Sequence, residues 1–232
     1  MQNAESPNES EKLAFLFRFV PTHVRSSLYY DVESLYSVTD QVTADKVTRD
    51  IARFLPKSST IIDATACIGG NAYSFASYFR EVIAIEIDPF RADFLASNMR
   101  LLGAANVKTV CNDCVKWIAA HSRETGDIHD LIFFDPPWGG PDYKKSEKVS
   151  LQLSGEPLAK IISSIAPFGR YIALKVPINF DEDAFLEETK DIIEIKHKNT
   201  QLRKMNLLLF RVLPAGFHAK YMATIVPMDS NA

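Results

Sequence analysis

From residue 60 onward the apolar positions of this chain switch repeatedly between two periods, and the switches predict its elements. "TIIDA" (60–64) is a short apolar run ending on a carboxylate, the mark of a buried strand. "NAYSFASYF" (71–79) follows with helical spacing at Tyr73, Ala76 and Phe79. "EVIAIEI" (81–87) is β-branched and strand-like. "DPFRADFLASNMRLLG" (88–103) is an amphipathic helix with Pro89 in its first turn and Gly103 at its end. Further strands are predicted at "NVKTVC" (106–111), "DLIFF" (130–134), "RYIALKV" (170–176), "IIEIKHK" (192–198) and "MNLLLFRV" (205–212). Helices are predicted at "CVKWIAAH" (114–121) and at "GEPLAKIISSIAP" (155–167). Upstream, "TDQVTADKVTRDIARFL" (39–55) reads as a helix capped by Thr39, with Val42, Val47, Ile51 and Phe54 on one face.

Strand and helix in alternation mean a mostly parallel sheet covered by helices on both faces. The last two strands are separated only by "NTQLRK" (199–204), so they pair as an antiparallel hairpin at or near one sheet edge. The expected fold is α/β, a mostly parallel seven-stranded sheet closed by that hairpin, which resembles the layout of the Rossmann-like class I methyltransferases. The 232 residues are 47% hydrophobic and 24% charged, suiting one globular domain with small additions. A net charge of −3 and a pI of about 6.0 argue against a broad basic surface, so nucleic acid is expected to be met at one end or one nucleotide. No apolar run approaches the roughly 20 residues of a membrane helix. The polar opening "MQNAESPNESEK" matches neither a signal peptide nor a transit sequence, and residues 1–11 are expected to be disordered. A catalytic domain over 37–215 and a tail over 216–232 complete the expected organisation.

The cysteines are Cys67, Cys111 and Cys114, an odd count that argues for a reducing, intracellular compartment. Cys111 and Cys114 form a C-x-x-C pair without the second pair or spaced histidines of a zinc site, so they read as a strand end and no metal is expected.

In a doubly wound sheet, ligands sit beyond the carboxyl ends of the strands. The first such end is "DATACIGGN" (63–71), where Gly69 and Gly70 let the backbone approach a ligand and a helix starts. Asp63 there can anchor a methionine amino group, directly or through water. Glu86 ends the second strand and either accepts both hydroxyls of a ribose or is a solvated loop carboxylate. Asp113, in "CNDC", can accept from an adenine amine, cap the following helix, or do both. Loop, ribose acid and base acid at successive strand ends are the layout of an S-adenosylmethionine site. The absent G-x-G-x-x-G spacing argues against a nicotinamide cofactor.

The fourth strand ends in "FFDPPWGGPDY" (133–143). An exocyclic amine on a purine is a poor nucleophile because its lone pair is delocalised into the ring. Acceptors that hold its N–H bonds free that lone pair for attack, and Asp135 with the Pro136 carbonyl can supply them. Pro136 and Pro137 fix φ and donate nothing, so the carbonyls stay aimed. Trp138 offers a flat face for a base, worth about 1–3 kcal/mol, with extra attraction if the base is cationic. The competing reading is an ordinary loop with a core tryptophan.

"DPPWGGPDY" (135–143) resembles the S-P-P-W-G-G-P-D-Y signature of the trimethylguanosine synthases, which dimethylate the N2 amine of a 7-methylguanosine RNA cap. "LYSVTDQVTADKVTRDIA" (35–52), "IIDATACIGGNAYSFA" (61–76) and "VIAIEIDP" (82–89) are similar to that family's helix entry, cofactor loop and ribose strand, and the likeness runs from about residue 30 to 180. The resemblance implies that Asp135, Pro136 and Pro137 surround the amine, and that Trp138, Tyr143, Asn179 and Lys175 meet the capped RNA. It implies that Asp63, Ala64, Gly69, Gly70, Asn71, Glu86, Ile87, Asp113 and Asp135 hold S-adenosylmethionine. A helical extension over 12–36, with Phe15, Phe17, Tyr29 and Tyr30, would cover the site of a monomer, and cellular members of the family work in the nucleus. Asp135 stands where cellular enzymes usually have serine, and Cys67 replaces a loop glycine. Ile178 replaces the arginine of L-P-R-N that is assigned a cap phosphate contact, for which Lys175, Lys144 or Lys145 is the expected substitute. The alternatives are an N2-guanine or N6-adenine methyltransferase acting on uncapped RNA or DNA, and an inactive cap-binding module.

Overall fold

The computed structural model describes residues 7–202 and 204–214. The chain opens with three short helices, α1 (Pro7–Leu16), α2 (Thr22–Arg25) and α3 (Ser34–Ser37). Their apolar side chains Leu13, Leu16, Phe17, Val20, Leu28 and Leu35, with Val38, pack around Ile68. The expectation of disorder over 1–11 is therefore corrected for residues 7–11, which begin α1. The polar opening turns join a helix because the apolar residues just behind them have a surface to bury against. Residues 1–6 and the tail 216–232 lie outside the described residues.

Helix α4 (Gln41–Ile51) is capped by Asp40, not Thr39: Asp40 Oδ1 accepts from the Thr43 N–H at 3.1 Å. Its buried stripe is Thr43, Ala44, Val47, Thr48 and Ile51, while Phe54 lies past the helix end, partly exposed against the His197 ring. Then follow β1 (Thr60–Asp63), α5 (Gly70–Ala76), β2 (Glu81–Glu86), α6 (Pro89–Leu101), β3 (Val107–Cys111), α7 (Cys114–Thr125) and β4 (His129–Phe134). A 3-10 turn (Pro141–Lys145) precedes a small ribbon, β5 (Gln152–Leu153) and β6 (Glu156–Pro157). The chain then runs through α8 (Leu158–Ile165), β7 (Gly169–Pro177), α9 (Glu182–Thr189), β8 (Ile193–Leu202) and β9 (Met205–Val212).

The sheet has seven strands in the order β3-β2-β1-β4-β7-β9-β8. It is parallel from β3 to β7, and β9 runs antiparallel to both β7 and β8. The C-terminal hairpin is thus inserted, with β9 inside and β8 at the edge. Alternation along each inner strand feeds two cores. Ile62, Ile132, Phe134, Leu208 and Phe210 face the side covered by Ile118 of α7, Ile162 of α8 and Phe185 of α9. Ile61, Leu131, Phe133, Leu207 and Leu209 face the side covered by Val47 of α4, Phe75 of α5 and Leu95 of α6. Burying each such side chain contributes about 1.5–3 kcal/mol, so both faces of the inner strands are fixed. Among the described residues no helix is long and apolar enough to cross a membrane.

Candidate active site

Parallel pairing brings the carboxyl ends of β1, β2 and β4 side by side, with Asp63 opposite both Ala84 and Phe133. Asp63 is fully buried, and neither of its oxygens closes a well-formed hydrogen bond among the described residues. Burial raises its carboxyl to about 7; the charges of Asp135 and Glu86 add to the rise, while the Thr65 N–H and Lys175 oppose it. An unpartnered acid this deep is a seat for a cation.

Glu86 is not a solvated loop carboxylate. It is 9% exposed, Oε2 accepts from the Cys67 N–H at 2.9 Å, and Oε1 accepts from the Asp88 N–H at 3.0 Å. It thereby shapes the loop after β1. In that loop Cys67 adopts a left-handed conformation (φ 50), the backbone a glycine would supply more cheaply. Burial and the Glu86 charge push its thiol up to about 12, so it stays protonated.

Gly69 and Gly70 do not leave their space to a ligand, as expected above. A Cβ on Gly69 (φ 103) would sit 2.3 Å from Met99 Cε, and one on Gly70 would sit 2.5 Å from the Thr39 carbonyl oxygen. The glycines admit α6 and the 38–39 segment instead. Ala64 is buried and its N–H donates to the Phe133 carbonyl (2.9 Å), tying the loop to β4. Ile87, just past β2, is 58% exposed. Asp113 does cap α7, but the Val115 and Lys116 N–H groups both donate to Oδ1 (2.9 and 3.1 Å), and Oδ2 is spared. Cys111 is exposed at the end of β3, and Cys114 is buried in the first turn of α7.

Asp135 follows β4 directly, and its N–H donates to Thr65 Oγ1 at 2.8 Å. Its Oδ2 receives Lys175 Nζ, Thr39 Oγ1 at 3.1 Å and Asn71 Nδ2 at 3.5 Å. Thr39 is the hub of this cluster, since it also accepts from Lys175 Nζ (2.6 Å) and Asn71 Nδ2 (3.0 Å). Pro136 is buried and Pro137 exposed. Trp138 is half-buried, neither a core residue nor a free surface one, and packs edge-on against Tyr143 with ring centroids 5.3 Å apart. Gly139 and Gly140 (φ 87 and 75) turn the chain between these two rings, and no Cβ-bearing residue takes such a pair cheaply.

Asn179 and Lys175 differ from their expected roles. Asn179 Nδ2 donates to the carbonyls of Tyr143 (2.9 Å) and Ser146 (2.8 Å), so it pins the segment after Trp138. Lys175 is buried on β7 and ion-paired with Asp135, so its ammonium is withdrawn from any surface phosphate. Lys144 and Lys145 are exposed beside Tyr143, and Ile178 is 65% exposed.

Of the extension's aromatics, Phe17 is core, Tyr29 stacks on Phe94 at 6.0 Å, and Phe15 is partly exposed. The extension is clamped on the side of the loop after β1. Asn98 bonds the Tyr29 N–H and carbonyl (2.8 and 2.9 Å) and the Ile68 carbonyl (3.2 Å), while Arg91 pairs with Asp31 and Glu33.

Sequence reasoning did not find Thr39, Thr65 or Asn98 as site-building residues, nor the true partner of Lys175. One signal was present: a single lysine inside the apolar run of β7 needs a buried partner.

A family model for RNA cap guanine-N2 methyltransferases matches residues 58–210. A trimethylguanosine synthase of Schizosaccharomyces pombe is 31% identical over 160 residues, covering 66% of this chain and 64% of that protein. An uncharacterized protein of Acanthamoeba polyphaga mimivirus is 32% identical over 137 residues, covering 58% of this chain and 52% of its own length. This chain therefore spans about half to two thirds of the length of these relatives. Among solved structures, a putative methyltransferase from Porphyromonas gingivalis superposes with a TM-score of 0.61 at 16% identity, over 92% of this chain and 57% of that one. One from Escherichia coli gives 0.53 at 15% identity, over 74% and 85%. These two speak for the fold, Rossmann-like and of the class I methyltransferase type. The family model reaches further: its 58–210 span takes in the loop after β1, the acid of β2 and the D-P-P-W turn, which places this chain in the RNA cap guanine-N2 methyltransferase family.

Proposed function

We propose that this chain methylates the exocyclic N2 amine of a 7-methylguanosine RNA cap, with S-adenosylmethionine as donor. The observation that carries the reading is the Asp135 carboxylate, held through one oxygen and placed three residues before the half-buried indole of Trp138.

Asp63, the loop 64–71, Glu86, Ile87 and Asp113 would hold the cofactor, and its positive charge suits the unpartnered Asp63 carboxyl. The cofactor, when bound, supplies an electrophilic methyl group. Trp138 stacks the base, and the fixed positive charge of 7-methylguanine strengthens that contact over neutral guanine. Asp135 Oδ1 and the Pro136 carbonyl would accept the amine's N–H bonds, so its lone pair is drawn out of conjugation with the ring and is free to attack the methyl carbon. The Asp135 carboxylate would take the amine's extra proton as the methyl–sulfur bond is exchanged for the new N–C bond and the sulfur leaves as a neutral thioether. A monomer is the proposed working unit.

The test uses labelled cofactor with 7-methylated and unmethylated capped dinucleotides. Turnover of the methylated analogue should be at least about tenfold more efficient, the scale of a desolvated cation–π contact. Equal kcat/KM on both analogues would remove the indole's selecting role.

A further inference from the structure

We propose that Lys175 is a positioning residue for methyl transfer: it holds the Asp135 carboxylate by Oδ2, which turns Oδ1 to the amine. The inference rests on the reading of Asp135 as the amine's acceptor.

The first observation is the residue's setting. Lys175 lies on β7 between the buried Leu174 and Val176, and its side chain is 4% exposed. Burying an ammonium there is costly, and an apolar residue of similar volume would serve stability at least as well. Its partners are the Thr39 hydroxyl and Asp135.

The second observation is directional. Lys175, Thr39 and Asn71 all reach Asp135 at Oδ2, and among the described residues no hydrogen bond falls on Oδ1. A carboxylate without such restraint presents either oxygen; this one presents a single acceptor.

The third is the balance of charge. The charges of Asp135 after β4, Lys175 of β7 and Glu86 of β2 all act on the buried Asp63 carboxyl of β1. The other elements at this point contribute neutral groups, Asn71 of α5 and Thr39 ahead of α4. Arg91 of α6 is engaged by Asp31 and Glu33. Lys175 thus pairs its charge with Asp135 at the point where the acid-bearing strand ends adjoin. Neutralised by Asp135, the Lys175 ammonium can also lie 5.8 Å from the Trp138 ring without repelling a cationic base.

The test measures kcat and KM on the 7-methylated cap analogue from pH 5.5 to 9. The proteins are wild type, Lys175→Met, Asp135→Asn and the double variant, with thermal melts and cofactor calorimetry alongside. Lys175→Met should lower kcat about 100-fold near pH 7, change KM for the cap by less than about threefold, and move the acid limb of kcat up by about one pH unit or more. The double variant should be no slower than Asp135→Asn alone, because Lys175 acts through Asp135. A Lys175→Met enzyme with wild-type kcat and limb, or losses that multiply in the double variant, would overturn the assignment. If Lys175→Met alone does not fold, the neutral double variant against Asp135→Asn still decides. If wild type methylates no cap, the substrate reading fails, and Lys175 is judged by carboxyl-carbon NMR. The Asp135 resonance, assigned by its loss in Asp135→Asn, should titrate at higher pH in Lys175→Met or, where that variant does not fold, in Lys175→Gln. An unmoved titration sinks the proposal.

Discussion

Asp63 sets a pH response at the scale of one residue. Its carboxyl sits near 7 in the folded chain against 3.8 for an ordinary aspartate, so the folded state binds the extra proton between those values. Stability of the free protein therefore falls as pH rises from about 4 to 7, by at most about 4 kcal/mol at 1.36 kcal/mol per unit. A bound cation reverses the preference, so cofactor affinity should rise with pH through 7 and binding should release a proton. Melting curves across pH, and calorimetry in buffers of different ionisation enthalpy, check both; Asp63→Asn should flatten both dependences. Trp138→Ala is expected to raise KM for the cap by about tenfold or more, with the cofactor Kd changed less than about twofold. The strand-end acids were legible because each closes an apolar run, and the geometry agrees with their placement. Lys175 was legible as an oddity but not as a partner. Its contacts lie 40 and 136 residues away, beyond what any local pattern encodes. Thr39 was mistaken for a cap because Thr39 and Asp40 are both good caps side by side, and only the fold shows that the Thr39 hydroxyl is taken by Asp135 and Lys175.

Among the elements, the loop after β1 and the segment after Trp138 carry the geometry, and each hangs on one residue. Gly70→Ala would drive a methyl group to 2.5 Å from the Thr39 carbonyl, a backbone atom that cannot swing aside. The expected cost is about 1–3 kcal/mol of stability, with a fall in kcat as Thr39 leaves Asp135; denaturant melts and turnover measure the two. Asn179→Ala should free the Tyr143 and Ser146 carbonyls, raising hydrogen exchange over 141–149 and KM for the cap while kcat changes little. The seven strands of the main sheet were legible, because apolar runs bounded by polar strand ends leave little choice; the ribbon of β5 and β6 was not, and Glu156 and Pro157, read as the start of a helix, are strand. Helix α9 was not. "EDAFLEET" buries chiefly Phe185 and Thr189, too few positions to show a helical period before the hydrophobic face it covers is known.

For the whole molecule, the helical extension is one piece with the catalytic sheet. Removing residues 1–36 would strip Leu13, Leu16, Phe17, Val20, Leu28 and Leu35 from Ile68, inside the loop after β1. The truncated chain should melt lower and bind cofactor more weakly, whereas an unchanged melting temperature and Kd would make the extension an independent appendage. That dependence was only half legible: the aromatics near 15–30 invited a lid, but Phe17 turned out to be core. Strand order has a consequence for synthesis. Lys175 stands opposite Leu207 of β9, so its strand lacks one neighbour until the final hairpin has left the ribosome. A nascent chain stalled before residue 205 would display β7 as a bare, apolar edge, open to sticking and to chaperones. It could already have threaded every acid of the pocket, yet its counter-ion would ride on a strand not yet walled in, and competence would arrive only with the last strand to emerge.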